Sequence, residues 1–393
     1  MRIATPQRRF AVTLIGIGAA STAAHLGNNF TTYLIGGLID RFGFTPTAMG
    51  AWNMAETLSY AAAMFLVAPR ARAMDARILA LLATVLVATA QASSALMTTY
   101  PLLLLGRIGT GLGFGIMNSA VNLAAGRTAH PARSISMGIA FQTIMFAAIN
   151  IGLPIIGKYH GVAGMFTALA GLTIILGVLA MMLPGGTGLD RDAPPSEPNT
   201  PIGAEGRRVL VAMALFAFGT LAIWPFMERT AHAIGLPATQ FGRYQSLATL
   251  LSALGNVGLA MVVKRLPRAW PLAAALGACG LACALLTTVS SAPAFAIALV
   301  AFNVSWFLTY PLLLGLAYSI DNSGRLAVMT TGTWLLSQSF GSLAAGGIAQ
   351  NFGGYTLIGP MGALICFAAI AVGFPIAKRL DGRSPGSDLP IAE

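Results

Sequence analysis

Four ionisable side chains stand in stretches otherwise too apolar for them: His25, Glu56, Arg107 and Glu228. Arg107 lies in Leu102-Leu103-Leu104-Leu105-Gly106-Arg107-Ile108-Gly109-Thr110-Gly111, a run that continues apolar to Ala125. An arginine inside a membrane span costs about 3 kcal/mol or more unless it faces a partner or water. Its guanidinium stays charged at any working pH, so it can bind an anion or act on a nearby carboxyl but cannot release a proton itself. Glu56 and Glu228 could carry a proton, and His25 titrates near neutrality without help. Around these sit the amides Asn28, Asn29, Asn53, Asn118, Gln142, Gln245, Asn256, Asn303 and Gln338, and the aromatic residues Trp224, Tyr310 and Trp334. Together they define a candidate set for proton coupling and for lining a solute cavity.

The elements that hold these residues are membrane spans. The chain has 393 residues, of which 56% are hydrophobic and only 9% charged, with mean hydropathy +0.75. A soluble domain carries about 25% charged residues. Spans of about 20 residues are expected at 10–35, 47–68, 78–98, 101–125, 132–156 and 162–183, then at 209–231, 239–263, 271–290, 293–318, 326–349 and 355–376. The segment 184–208 between them is rich in proline, glycine and charge and reads as a linker. The expected fold is therefore an all-α polytopic membrane protein: a six-helix bundle over 1–183, a cytoplasmic linker over 184–208, and a second six-helix bundle with a short tail over 209–393.

Charge gives the orientation. With the N-terminus inside, Arg41, Lys158, Arg229 and Arg243 fall outside, Arg107 lies within a span, and the other 18 of the 23 basic residues lie inside. The formal net charge of +11 is then a membrane-orientation signal. No basic cluster with interleaved aromatics is left for nucleic acid. Both termini are expected in the cytoplasm, in a cell (inner) membrane.

The halves repeat at an offset of 192: Gly43 with Gly235, Gly50 with Gly242, Pro101 with Pro293, Arg133 with Arg325, Met137 with Met329, Gly161 with Gly353. An even number of spans per half makes this a parallel repeat. Spans 3, 6, 9 and 12 hold almost no strongly polar side chain, Gln91 excepted, so the other eight are expected around a polar cavity. Within span 4, Gly109 and Gly113 share one face, Gly111 and Gly115 another, and each pair permits close helix contact. Arg107, Gly111, Phe114 and Asn118 share a narrow arc.

Over nearly its whole length the chain resembles the major facilitator superfamily. The resemblance rests on six plus six spans, the linker, the parallel repeat, and Leu105-Gly106-Arg107-Ile108-Gly109-Thr110-Gly111, which is similar to the family's span-4 arginine motif. That motif implies proton coupling through Arg107. The loop Phe42–Gly50 also looks like the family's approach to span 2. The loop Ala68–Arg77 is basic but departs from the family's G-x-x-x-D-[RK]-x-G-[RK]-[RK] pattern. Gly36–Gly43 matches that pattern better but lies on the outer side. Gly152–Gly157 shares a fragment of the drug-antiporter span-5 motif and tilts toward export. The acid that usually pairs with the arginine from span 1 is missing, which points to an anionic or strongly polar substrate, or to Glu56 as the partner.

Enzyme motifs fail. Gly152–Lys158 spells G-x-x-x-x-G-K, but Tyr159 replaces Ser/Thr and the segment closes a span, so it is no phosphate loop. Cys279, Cys283 and Cys366 lie in apolar runs and suggest neither a disulfide framework nor a metal site. The expectation is a non-enzymatic secondary transporter working by alternating access without a cofactor or metal, proton-coupled, as a functional monomer, and exporting an amphipathic or aromatic small molecule. The alternatives are an uptake permease for an organic anion or sugar and, in another class, a non-transporting membrane receptor or channel.

Overall fold

The computed structural model describes residues 6–67, 74–128, 131–186, 202–262, 266–321 and 325–382. Most of the expected linker and positions 68–73 of the basic loop lie outside the described residues.

Helices α1 (Pro6–Ala24) and α2 (Leu26–Phe42) form the first rod, interrupted at His25. The carbonyl of His25 accepts from the side chain of Asn29 at 2.9 Å. Such side-chain bonds compete with the helical ladder. Next come α3 (Pro46–Val67), α4 (Ala76–Leu96) and α5 (Tyr100–Gly126). Helix α6 (Pro131–Ala180) supplies two rods joined at Gly161, where φ is 64°. In the second half, α7 (Ala204–Ile223) continues through a 3-10 turn, Trp224–Phe226, into the short α8 (Met227–Ala233). Five more follow: α9 (Ala238–Val262), α10 (Ala269–Thr288), α11 (Ala292–Ile320), α12 (Arg325–Asn351) and α13 (Ile358–Gly382). Among the described residues twelve rods result, six on each side of the linker, and seven stretches are long and apolar enough to cross a membrane on composition alone. The first rod, α3, α9 and α12 are not among them; α3 meets the second bundle at α12, and α9 meets the first at α6.

The repeat has a structural cause at each glycine pair. Gly43 and Gly235 have φ of 65° and 77°, and Gly161 and Gly353 have 64° and 70°. A side chain is disfavoured in that left-handed region, so glycine stands at the same turn of each bundle. Gly50 packs on the backbone of Ser342, and Gly242 on the carbonyl of Asn150. These are the two symmetry-related crossings between bundles, α3 on α12 and α6 on α9. Pro101 and Pro293 each open a helix in its first turn, where a missing N–H costs nothing.

The glycine faces of α5 have the expected role. A Cβ on Gly109 or Gly113 would press on Ala90 or Val87 of α4, and one on Gly111 or Gly115 would run into the backbone of Glu56 or Tyr60 of α3. Helix α5 is thus clamped between α3 and α4, which fixes the depth of Arg107.

Candidate functional site

The segment joining α6 to α7 defines one side of the molecule, the linker side; the opposite side is the far side. Arg107 sits between them, 2% exposed. Its Nη1 lies 2.7 Å from Glu56 Oε2, with both side chains buried. Nη2 donates to Thr31 Oγ1 at 2.6 Å, and the guanidinium lies over the Trp52 ring, 3.9 Å from its centroid. Thr110 donates to Glu56 Oε2 at 2.9 Å. Glu56, which has no carboxylate neighbour in the sequence, is therefore the arginine's partner and not an isolated acid.

The polar chain continues across the bundle boundary. Thr31 donates to Asn53 Oδ1 at 2.9 Å, and Asn53 Nδ2 donates to Ser342 Oγ at 2.8 Å. One network thus runs from the buried ion pair in the first bundle to α12 in the second. Glu56 Oε1 and Arg107 Nε have no hydrogen-bond partner among the described residues. Such orphans are costly when buried. Oε1 lies against Gly27, where a Cβ would collide with it.

Glu56 also borders a central cavity of about 30 Å³, large enough to hold water. The first bundle contributes His25, Asn28, Thr57, Tyr60 and Phe114; the second contributes Trp334, Leu335 and Gln338. His25 Nδ1 is 2.9 Å from the Ser21 carbonyl. A carbonyl only accepts, so Nδ1 carries the proton and Nε2 is left for other partners. Behind the second wall the rings stack: Trp306 and Tyr310 are nearly parallel at 6.0 Å, and Tyr310 meets Trp334 edge-on at 5.6 Å. Trp334 Nε1 is buried without a hydrogen-bond partner among the described residues.

The remaining sequence candidates are placed as follows. Gln142 accepts from Ser21 Oγ at 2.6 Å, Asn118 Nδ2 contacts Met64 Sδ at 3.5 Å, and Asn29 holds the break in the first rod. Trp224 Nε1 donates to the Asn28 carbonyl at 2.8 Å, across the bundle boundary. Gln245 and Asn303 form a buried amide pair at 3.0 Å. Tyr310 reaches Thr331 at 3.4 Å. Asn256 is half-buried on α9 and joins none of these groups. Glu228 is buried toward the far side, away from the cavity. The sequence reading missed Thr31, Trp52, Thr110 and Ser342, because hydroxyls and a tryptophan do not stand out in apolar runs. The cavity of about 30 Å³ is bordered by four of the rods.

The cross-bundle hydrogen bonds among the described residues lie between mid-depth and the far side. Besides Asn53 to Ser342 and Trp224 to Asn28, Glu228 N donates to Thr32 Oγ1 at 2.8 Å, Arg229 Nη1 to Asp40 at 2.7 Å, and Thr47 N to Gln350 at 3.4 Å. The structure is thus closed on its far side.

The basic loop between α3 and α4 serves its own bundle where it is described. Asp75 caps α4 through Arg77 N at 2.8 Å and accepts from Gly186 N at 2.5 Å. Arg127 grips the Gly186 and Met74 carbonyls, and Arg77 the Leu183 carbonyl. The Gly186 amide beside it holds the Asp75 carboxyl below its ordinary value of 3.8.

Two six-helix bundles with polar groups buried at their boundary define a polytopic membrane transporter fold. A sequence profile of the Major Facilitator Superfamily matches residues 15–342, and the chain belongs to that family. No curated protein matches the sequence. Among solved structures, the nucleoside transporter NupG aligns with TM-score 0.72 at 12% identity, over 94% of this chain and 98% of that one. The inward-open xylose transporter XylE from E. coli gives 0.70 at 13%, over 92% and 95%. A bacterial homologue of the human lysosomal transporter Spinster, inward-facing and occupied, gives 0.70 at 14%, over 97% and 95%. At these identities the likeness establishes the fold. The protein is a non-enzymatic secondary transporter in a membrane.

Proposed function

We propose that the protein moves a small aromatic or amphipathic solute through the central cavity by alternating access, coupled to protons, and that residues 1–183 and 209–393 are the rocking bodies on either side of the linker 184–208. The linker side is the cytoplasmic face of an inner membrane, on the distribution of basic residues, so the closed far side is the outer face. The bundles rock about the mid-depth network.

The observation that carries this reading is the Glu56–Arg107 pair, buried at the cavity wall with one carboxylate oxygen unengaged. Glu56, whose Oε1 has no hydrogen-bond partner among the described residues, and Trp334, whose Nε1 has none, line the cavity from opposite bundles, and the Tyr310 and Trp306 rings stack behind Trp334. That acceptor, that donor and those rings would suit a planar solute that donates at one edge and accepts at the other. Arg107 is already neutralised by Glu56, which disfavours the organic-anion alternative.

The test is a solute screen by thermal shift on the purified protein, where a bound solute stabilises by mass action, followed by flux in proteoliposomes. Saturable solute flux that drives proton movement, and that an uncoupler abolishes, supports the reading. Uptake that is non-saturable and indifferent to an imposed pH gradient would overturn it in favour of a channel.

A further inference from the structure

The far-side closure contains a second carboxyl that the central network does not use. Glu228 opens α8 and is 5% exposed. Its backbone N–H is capped from the other bundle by Thr32. Its Oε2 has no hydrogen-bond partner among the described residues and lies against Gly36 of α2, where a Cβ would collide with it. Among the described residues the neighbouring cation is Arg229, which acts on Glu228 through its charge but forms its ion pair with Asp40, at 2.7 Å on the more exposed rim. The titratable groups facing Glu228 are Tyr33 and Asp40 from α2, Arg229 on its own helix, and Tyr355 from the segment before α13.

We propose that Glu228 is a proton site that fills as the far side closes and empties as it opens. The proposal rests on the alternating-access reading given above. The two bundles pinch this carboxyl between them. Opening that face breaks the Thr32 and Asn28 bonds and withdraws Gly36, and the carboxyl then meets water. A carboxylate closed in against Gly36 would keep an unpaired oxygen and a full charge away from water, whereas a carboxylic acid leaves no charge to desolvate. Closing therefore takes up one proton from the far side, and opening returns it. No bond other than O–H forms or breaks, and Glu56 keeps its pairing with Arg107 throughout.

Spin labels at Lys158→Cys and Phe352→Cys, exposed far-side positions in opposite bundles, report the closure directly. The native cysteines are buried and stay unlabelled. Without any solute, the open-to-closed ratio should rise with pH by about tenfold per unit within the linked range, the slope of one proton. Glu228→Gln should stay closed at every pH, and His160→Gln, at an exposed far-side position, should keep the slope. A flat wild-type profile, a slope that survives Glu228→Gln, or a slope lost in His160→Gln overturns the proposal. If Glu228→Gln cannot be produced, the wild-type and His160→Gln profiles decide the matter. A distance that responds to solute but not to pH sinks the proton site alone; one that never changes sinks alternating access with it.

Discussion

Removing the charge of Glu56 and Arg107 one at a time should cost far more than removing both. At the 2.7 Å separation of Nη1 and Oε2, the attraction is about 6 kcal/mol at an effective dielectric of about 20. Most of it offsets the cost of taking two ions out of water. Glu56→Gln strands a guanidinium whose other contacts are Thr31 and the Trp52 ring. Arg107→Gln strands a carboxylate with only Thr110 to bind it. Each single change should cost about 3–5 kcal/mol. The double change leaves two neutral amides of similar volume in the same space. The amide pair Gln245–Asn303, between the equivalent helices of the second bundle, shows that this helix pair holds such an arrangement. The double variant should therefore lose about 2 kcal/mol or less, a coupling of roughly 4 kcal/mol or more. Reversible unfolding in mixed micelles measures all four corners of the cycle. If the double variant loses the sum of the singles, the two side chains act independently and the pair does not organise the site. Arg107→Lys keeps the charge but not the fork that joins Glu56 to Thr31. It should insert, elute as one species and transport poorly; near-normal affinity and turnover would show that positive charge alone suffices there.

Gly111→Ala should destabilise by about 1–3 kcal/mol, because its Cβ meets the Glu56 backbone, which cannot step aside. Gly171→Ala, with nothing near its Cβ, should be neutral or stabilising by up to about 1 kcal/mol; equal behaviour in thermal unfolding would undo the α3–α5 clamp. Asp75→Ala should cost about 1 kcal/mol at neutral pH as a lost helix cap. The folded Asp75 carboxyl lies below its ordinary 3.8, so its contribution is present above that value and fades as the pH falls through the lower folded one. Wild type and variant should then converge in acid, and a gap that stays constant down to strong acid would disprove the role. Ser196→Cys should react with a membrane-impermeant maleimide only in inside-out vesicles; labelling of intact cells would reverse the proposed orientation.

Much of the fold is legible in the sequence because the membrane makes each rule strict. Apolar runs give the rods, and the glycine pairs of α5 give two packed faces. The 192-residue repeat marks the left-handed turns at Gly43, Gly161, Gly235 and Gly353. The break at His25 is not legible, since no proline or local glycine run signals it; there the His25 ring takes the Ser21 carbonyl and the His25 N–H turns to Thr22. Gly161 breaks the helix between the two spans expected there, with φ of 64°. The Glu56–Arg107 pair is half legible: both residues stand at mid-depth, but their contact depends on how α3 and α5 rotate against each other. Thr31 and Ser342 are invisible, because a hydroxyl in a membrane helix is most often bonded to its own backbone. Only the register of α3 against α12 brings Asn53 to Ser342.

The two bundles share a fold but divide the chemistry. Asn53 and Gln245 occupy equivalent positions in the repeat, yet Asn53 belongs to a network containing a full ion pair and Gln245 to a neutral amide pair. Among the described residues lining the cavity, the charged one, Glu56, comes from the first bundle, while Trp334 of the second backs onto the Tyr310 and Trp306 rings. A solute held between them would touch an ionic wall and an apolar wall at once, so displacement of either bundle changes its surroundings abruptly. The hydrogen bond from Asn53 to Ser342 ties the ionic network to the opposite bundle. Asn53 Oδ1 accepts from Thr31, which in turn accepts from Arg107, so the Glu56–Arg107 pair is joined to α12 through three side chains. In the proposed cycle, movement of either bundle about this network would therefore reach the ion pair directly.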